Sequence, residues 1–169
     1  MPELVYPPNS SDIATEALKV APQSIEAEQS VLGGLMLDNS AWDKVADIVT
    51  EEDFFRRDHR LIFRAIASKA SQGNPCDFVT LSDWLKSQDL LEEAGGLAYL
   101  GTLAKNTPSA ANIKAYAEIV RERSVLRQLI TVGNEISNSA YQTEGRSTEE
   151  LLDNAESEVF RIAEQGARG

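Results

Sequence analysis

The sequence predicts an all-α protein: a compact multi-helix globular bundle followed by an antiparallel helical hairpin. Three observations predict it. Apolar residues recur at three- and four-residue spacing through most of the chain. No stretch sustains period-two alternation, and β-branched residues do not gather into strand-length runs. Ser, Thr, Asp, Gly and Pro punctuate the periodic stretches where helices would start and stop.

Each element has its own signature. Residues 1–22 read as a disordered lead, because Pro2, Pro7, Pro8 and Pro22 remove backbone donors and disfavour helix in their neighbours. Ser24 can cap the first helix, with Glu26 and Glu28 near its positive end. Ile25, Leu32, Leu35 and Met36 form its apolar stripe. Gly33-Gly34 lies inside it and marks a close helix–helix contact, since helical glycine costs about 1 kcal/mol against alanine. Ser40, with Asp43 three residues on, resembles a capping box for a short second helix carrying Trp42, Val45, Ala46 and Val49. A third helix over about 57–71 turns Leu61, Ile62, Ala65 and Ile66 inward, and Gly73-Asn74-Pro75 ends it. Thr80 is read as the next cap, with Asp83 following and Leu81, Trp84 and Leu85 inward. After Gly95-Gly96, Leu97, Leu100 and Leu103 share one side of a helix that Asn106-Thr107-Pro108 stops.

The last third is different. From Ser109 to Tyr141 nothing breaks the helix, which gives a rod of about 50 Å. Its apolar stripe slips within Arg121–Arg127, from Ile113, Tyr116, Ala117 and Val120 to Leu126, Leu129, Ile130, Gly133, Ile136 and Ala140. The first half should pack on the globular part and the second should leave it. A turn at residues 142–146 follows, with Gly145 suited to a left-handed conformation. Ser147 and Glu150 form a capping box, and Leu152, Ala155, Val159 and Ile162 make a heptad-like seam. The expected organisation is therefore a lead over 1–22, a globular subdomain over 23–108 completed by the first part of the 109–141 helix, and a hairpin over 109–169. Two helices bury little of their own apolar surface, so a second hairpin from another subunit is the natural cover. The expected self-association residues are Leu126, Leu129, Ile130, Ile136, Leu152, Val159 and Ile162.

Composition limits the chemistry. The chain has 169 residues, with 27 acids against 16 Lys and Arg, for a formal net charge of -11. That balance argues against a duplex-gripping module, which needs a basic face, and points first to protein partners. One cysteine, Cys76, and one histidine, His59, exclude an internal disulfide framework and His-rich or Cys-based metal centres. No apolar run is long enough to span a bilayer and no secretory leader is evident at the N-terminus, so cytoplasmic residence is expected.

Catalytic motifs are missing. None of the glycines is followed by lysine, so no Gly-Lys-Ser/Thr phosphate loop can be written, and there is no Gly-x-Gly-x-x-Gly. The carboxylate pairs Glu26 with Glu28, Glu51-Glu52-Asp53 and Glu92-Glu93 read as solvated faces and helix-dipole partners. His59 reads as a buried, hydrogen-bonded structural residue. Arg57, Arg60 and Arg64 share one helix face beside Arg56 and are the candidate docking cluster. Local pairing with Asp53 and Asp58 is the competing and favoured reading. Trp42, Phe54, Phe55, Phe63, Trp84 and Tyr99 read as core. No catalytic, cofactor-binding or metal-binding residue is expected.

The stretch Pro22-Gln-Ser-Ile-Glu-Ala-Glu-Gln-Ser-Val-Leu-Gly-Gly-Leu-Met-Leu-Asp38 resembles the opening of the N-terminal domain of the bacterial replicative DNA helicase, the DnaB family. The resemblance continues at Phe54-Phe55, His59, Ile62-Phe63, Ala65, Pro75 to Leu81, Gly95 to Leu100, and Asn112 with Tyr116 to Val120. It covers about residues 20–165. The resemblance implies a globular bundle followed by a hairpin, dimers through the hairpin, and a hexamer in which these domains form a collar. It implies a DnaG-type primase C-terminal domain and a helicase loader as partners, with little direct nucleic-acid binding by this segment. It places ATP and Mg in a separate ATPase domain and carries no catalytic residue onto this sequence. Two competing readings stand beside it: the helicase-binding domain of a primase, and an autonomous all-α hydrolase. The opening stretch and the His59 region favour the helicase side.

Overall fold

The first helix starts at its sequence-read cap, where Ser24 Oγ accepts from the Ala27 amide at 3.2 Å. In the computed structural model, residues 19–166 are described, and the first eighteen positions of the expected lead lie outside them. Helix α1 spans Ile25–Leu37 and buries every residue from Val31 to Met36. A helix covered on all sides is the centre of a bundle, not an amphipathic wall. Helices α3 (Arg57–Ser71), α5 (Gly96–Asn106) and α6 (Ile113–Tyr141) pack around it.

The paired glycines make this central position possible. A Cβ on Gly33 would stand 1.9 Å from Thr107 Oγ1 and 2.5 Å from the Leu103 carbonyl oxygen, and one on Gly34 would stand 2.9 Å from Ile113 Cδ1. The end of α5 and the start of α6 therefore lie directly on the α1 backbone. Alanine at 33 gains helix propensity but forces apart two backbones. Gly33→Ala is expected to destabilise the protein by about 1–3 kcal/mol in urea unfolding, as overpacked sites do. An unchanged midpoint would show that this contact is slack.

The remaining elements are a 3-10 turn at Asn39–Ala41, α2 (Trp42–Ala46), a second 3-10 turn at Glu51–Asp53, α4 (Phe78–Ser87) and α7 (Thr148–Gly166). Among the described residues there is no strand. One core cluster draws on α1 to α5 and on Ile113, Ala117 and Val120 of α6. Phe63 packs in tilted geometry against Phe54 and Trp42 at ring-centroid distances of 4.9 and 5.3 Å. Phe54 and Phe63 are buried, whereas Trp42, Trp84, Phe55 and Tyr99 are half-buried at its edge.

Several boundaries differ from the sequence reading, each for a local reason. Ser40 does not cap α2. Asp38 is the acceptor there, taking the Ser40 amide at 3.0 Å, and α2 continues from the 3-10 turn with no side-chain cap. Thr80 is the third residue of α4, not its cap. Asp77 accepts from the Thr80 amide at 2.8 Å, and Thr80 Oγ1 accepts from the Asp77 amide at 3.0 Å. The hydrogen bond from Thr80 holds the Asp77 carboxyl below its ordinary pKa. The long helix begins at Ile113 rather than Ser109, because Ser109 Oγ takes the Ala111 amide and closes a turn first. Leu97 is exposed while Leu100 and Leu103 are buried.

Candidate assembly interface

Helix α6 carries two different surfaces along its 29 residues. Its first turns bury Ile113, Ala117 and Val120 in the head. The head-facing side then changes chemistry while keeping its register. Arg121, Ser124 and Arg127 follow Ala117 and Val120 at helical spacing and still face the globular part. Their common target is Asp53, which is 2% exposed. Asp53 Oδ1 accepts from Arg121 Nη1 at 2.8 Å and Ser124 Oγ at 2.7 Å, and its Oδ2 accepts from the Thr50 amide at 2.8 Å. Arg127 donates to the Asp53 carbonyl and to the Pro22 carbonyl, each at 2.7 Å. Its guanidinium carbon lies 5.4 Å from the Phe55 ring centroid. Burial lowers its pKa from the ordinary arginine value.

Past Arg127 the helix leaves the head. A turn with Glu144 and Gly145 in left-handed backbone reverses the chain. Ser147 Oγ accepts from the Glu150 amide at 3.1 Å and starts α7, which packs back along α6. Within the hairpin, Val132 and Ile162 are the buried apolar residues and stand apart from the head's core. The rest of the seam faces outward. Leu126, Leu129, Ile130, Ile136 and Val159 are each between 37% and 49% exposed, and Leu152 is 66% exposed. Ile162 alone of the expected self-association residues is turned inward, because it closes the hairpin against α6. Phe160, 66% exposed, and Tyr141, at the tip of the hairpin, extend the apolar surface and were not singled out from the sequence. Phe160 directly follows Val159, so the heptad count passes over it.

A second polar centre lies inside the head. Glu28 is 1% exposed and His59 fully buried. Glu28 accepts from the Phe55 amide at 2.9 Å, and its Oε1 lies 2.8 Å from His59 Nδ1. A carboxylate only accepts, so Nδ1 carries the proton. His59 Nε2 is 2.6 Å from the Tyr99 hydroxyl, which also accepts from Gln29 Nε2 at 3.3 Å. Burial raises the Tyr99 pKa. His59 is the structural histidine expected. Glu28 and Asp53 correct the reading of their carboxylate runs as solvated, because each is buried and satisfied by donors far along the chain.

The arginine cluster is taken up within the chain: Asp58 pairs with Arg56, as the sequence reading favoured, whereas Arg57, Arg60 and Arg64 find partners the sequence did not indicate and Asp53 pairs outside the cluster. Arg57 pairs with Glu93 at 2.7 Å and Arg64 with Glu51 at 2.6 Å. Arg60 donates to the Phe54 and Phe55 carbonyls, at 3.0 and 2.8 Å. Asp58 pairs with Arg56, and Asp53 with Arg121. Cys76 is buried, with burial raising its thiol pKa, and Asn39 Nδ2 lies 3.1 Å from its sulfur. Among the described residues no three His, Cys, Asp or Glu side chains converge on a metal-holding arrangement, and no helix is long and apolar enough to cross a membrane.

The chain is 47% identical over 156 residues to the replicative DNA helicase DnaB of Haemophilus influenzae, covering 92% of this chain and 33% of that protein. It spans about a third of the length of the curated relatives it matches. The crystal structure of the N-terminal domain of DnaB helicase from Mycobacterium tuberculosis superposes with a TM-score of 0.81 at 37% identity, covering 84% of this chain and 99% of that one. A DnaB-like replicative helicase described with its interactions with primase shares the fold, with a TM-score of 0.64 at 24% identity over 80% of this chain and 31% of that one. The family model for the DnaB-like helicase N-terminal domain matches residues 20–122, and the chain belongs to that family.

Proposed function

We propose that this domain is the assembly and docking collar of a replicative DNA helicase. The observation that carries the proposal is the row of outward apolar side chains on α6 and α7: Leu126, Leu129, Ile130, Ile136, Leu152 and Val159. An apolar surface of this extent on a two-helix arm favours burial against a second protein surface. A second copy of the hairpin is the self-complementary cover, and an isologous pair of hairpins gives a dimer from which a hexameric collar is built. The head, with its acidic surface, would present docking sites for a DnaG-type primase C-terminal domain and a helicase loader. The ATP- and Mg-dependent motor would lie in another part of the full-length protein, and little nucleic acid would be bound here. Cytoplasmic residence belongs to the same proposal.

Support falls on the seam rather than on Arg57, Arg60 and Arg64, whose charges are already paired or hydrogen-bonded. Isothermal titration of the chain with the primase C-terminal domain of the same organism is expected to show saturable heat at micromolar concentrations. No heat, together with no co-elution on a sizing column, would remove the docking role.

A further inference from the structure

One face of α6 lies bare along the back of the hairpin. Val132 is buried inside the hairpin. About half a turn round the helix from it, Arg123, Ile130, Asn134 and Tyr141 share the opposite face. Leu126 and Arg127 flank that face. Ile130 and Leu126 are exposed, and Tyr141 is 87% exposed. The charged residues here are Arg123 and Arg127, both cations. Arg123 meets Glu122 at 3.1 Å, an exposed pair of little weight. The head end of this face is also where the chain enters the head, because Arg127 Nη1 donates to the Pro22 carbonyl at 2.7 Å. Leu18 stands four residues before Pro22, so it lies within about 14 Å of that point. Ile130 lies about 5 Å beyond Arg127 along the helix.

We propose that this face is the docking site for residues 13–18 of the same chain, with Ile13 and Leu18 against Ile130 and Leu126. The segment has the matching chemistry. Ile13, Ala14, Ala17 and Leu18 recur at a spacing that puts them on one side of a helix. Residues 1–18 contain Glu3, Asp12 and Glu16 and no Lys or Arg, so the segment brings carboxylates to a face whose charges are cations. The tie at Pro22 makes the contact intramolecular, at an effective concentration in the ~millimolar range. A contact too weak to hold a separate peptide therefore still closes. Leu129, Ile136 and Ala140 lie roughly a third of a turn away, on the side left open to a second copy. The segment would thus cover the back of the hairpin and leave one apolar edge for association. The contact is made within one chain and does not rest on the pairing of hairpins.

A nitroxide at Thr15→Cys, in a Cys76→Ser background, broadens the backbone amide signals near it in isotope-labelled protein. Reducing the nitroxide gives the reference spectrum. The amides of Ile130, Asn134 and Ser137 are expected to lose most of their intensity. Ile13→Ser with Leu18→Ser is expected to restore most of it at Asn134 and Ser137, leaving the far-ultraviolet circular dichroism unchanged, since neither residue belongs to the core cluster. Diluting the labelled chain into excess isotopically silent, unlabelled chain should leave the pattern as it was. Loss of the broadening on dilution would place the segment on a second copy and overturn the proposal. Full intensity along α6, or an equal loss in the double serine variant, overturns it as well.

Discussion

Leu129→Asp combined with Val159→Asp is expected to convert a self-associating chain into a monomer that keeps its helical content. Both side chains are about half exposed on the hairpin, so neither substitution leaves a buried charge within one chain. In an isologous interface each change is met twice. At about 1.5 kcal/mol for every apolar side chain withdrawn from burial, four of them weaken association by more than about a thousandfold. Light scattering and circular dichroism on the same sample separate loss of the interface from loss of the fold. A mass equal to that of the parent protein would move self-association away from this seam. Ile162→Asp should behave differently, because Ile162 is buried inside the hairpin and its loss would unpack α7 before any partner is involved.

Glu28→Ala is expected to destabilise the head by about 3 kcal/mol or more, the usual cost of breaking a buried pair by removing one partner. The substitution leaves the His59 Nδ1 proton and the Phe55 amide without acceptors in a site closed to water. It also unties α1 from the loop entering α3, the contact that places His59 against Tyr99. Against a domain stability of roughly 5–15 kcal/mol this is a large share. Glu28→Gln should cost about half as much, since the amide oxygen still accepts one of the two hydrogen bonds. Urea unfolding at constant slope checks both, and equal midpoints for the alanine variant and the parent would contradict the structural role of the carboxylate. The hairpin seam lies elsewhere, so Glu28→Gln is expected to leave the oligomer intact.

These two predictions draw on residues of unequal legibility. The seam could be read in the sequence because helix periodicity is local: Leu129, Ile136 and the Leu152–Val159 pair show a face without knowledge of what covers it. Gly33-Gly34 was legible for a similar reason, as glycine inside a helix needs a close neighbour to justify it. Ser24 and Ser147 could be read as caps because each stands directly before its periodic stretch, and both side chains do accept from the amide three residues on. Ser40 and Thr80 could not, because Asp38 and Asp77, two and three residues earlier, start their helical turns first and accept from the Ser40 and Thr80 amides themselves. The buried carboxylates were hidden for a different reason. Glu28 meets the Phe55 amide 27 residues away, and Asp53 meets Ser124 71 residues away. Nothing around them in the chain distinguishes them from the solvated Glu26 and Glu52. The partners of the arginines were hidden in the same way, Arg57 finding Glu93 36 residues on. Local chemistry thus reveals elements and faces, whereas the polar contacts that orient them exist only once the fold has brought distant segments together.

Pairing of copies of this chain through the hairpin is the expectation on which the proposed collar rests. A single spin label at Asn138→Cys, beside the seam on α6, in a Cys76→Ser background, tests it through the dipolar coupling between molecules. The expected result is a defined intermolecular distance that disappears when Leu129→Asp and Val159→Asp are added. Absence of any intermolecular coupling in the parent protein, or a coupling that survives both aspartates, would contradict it.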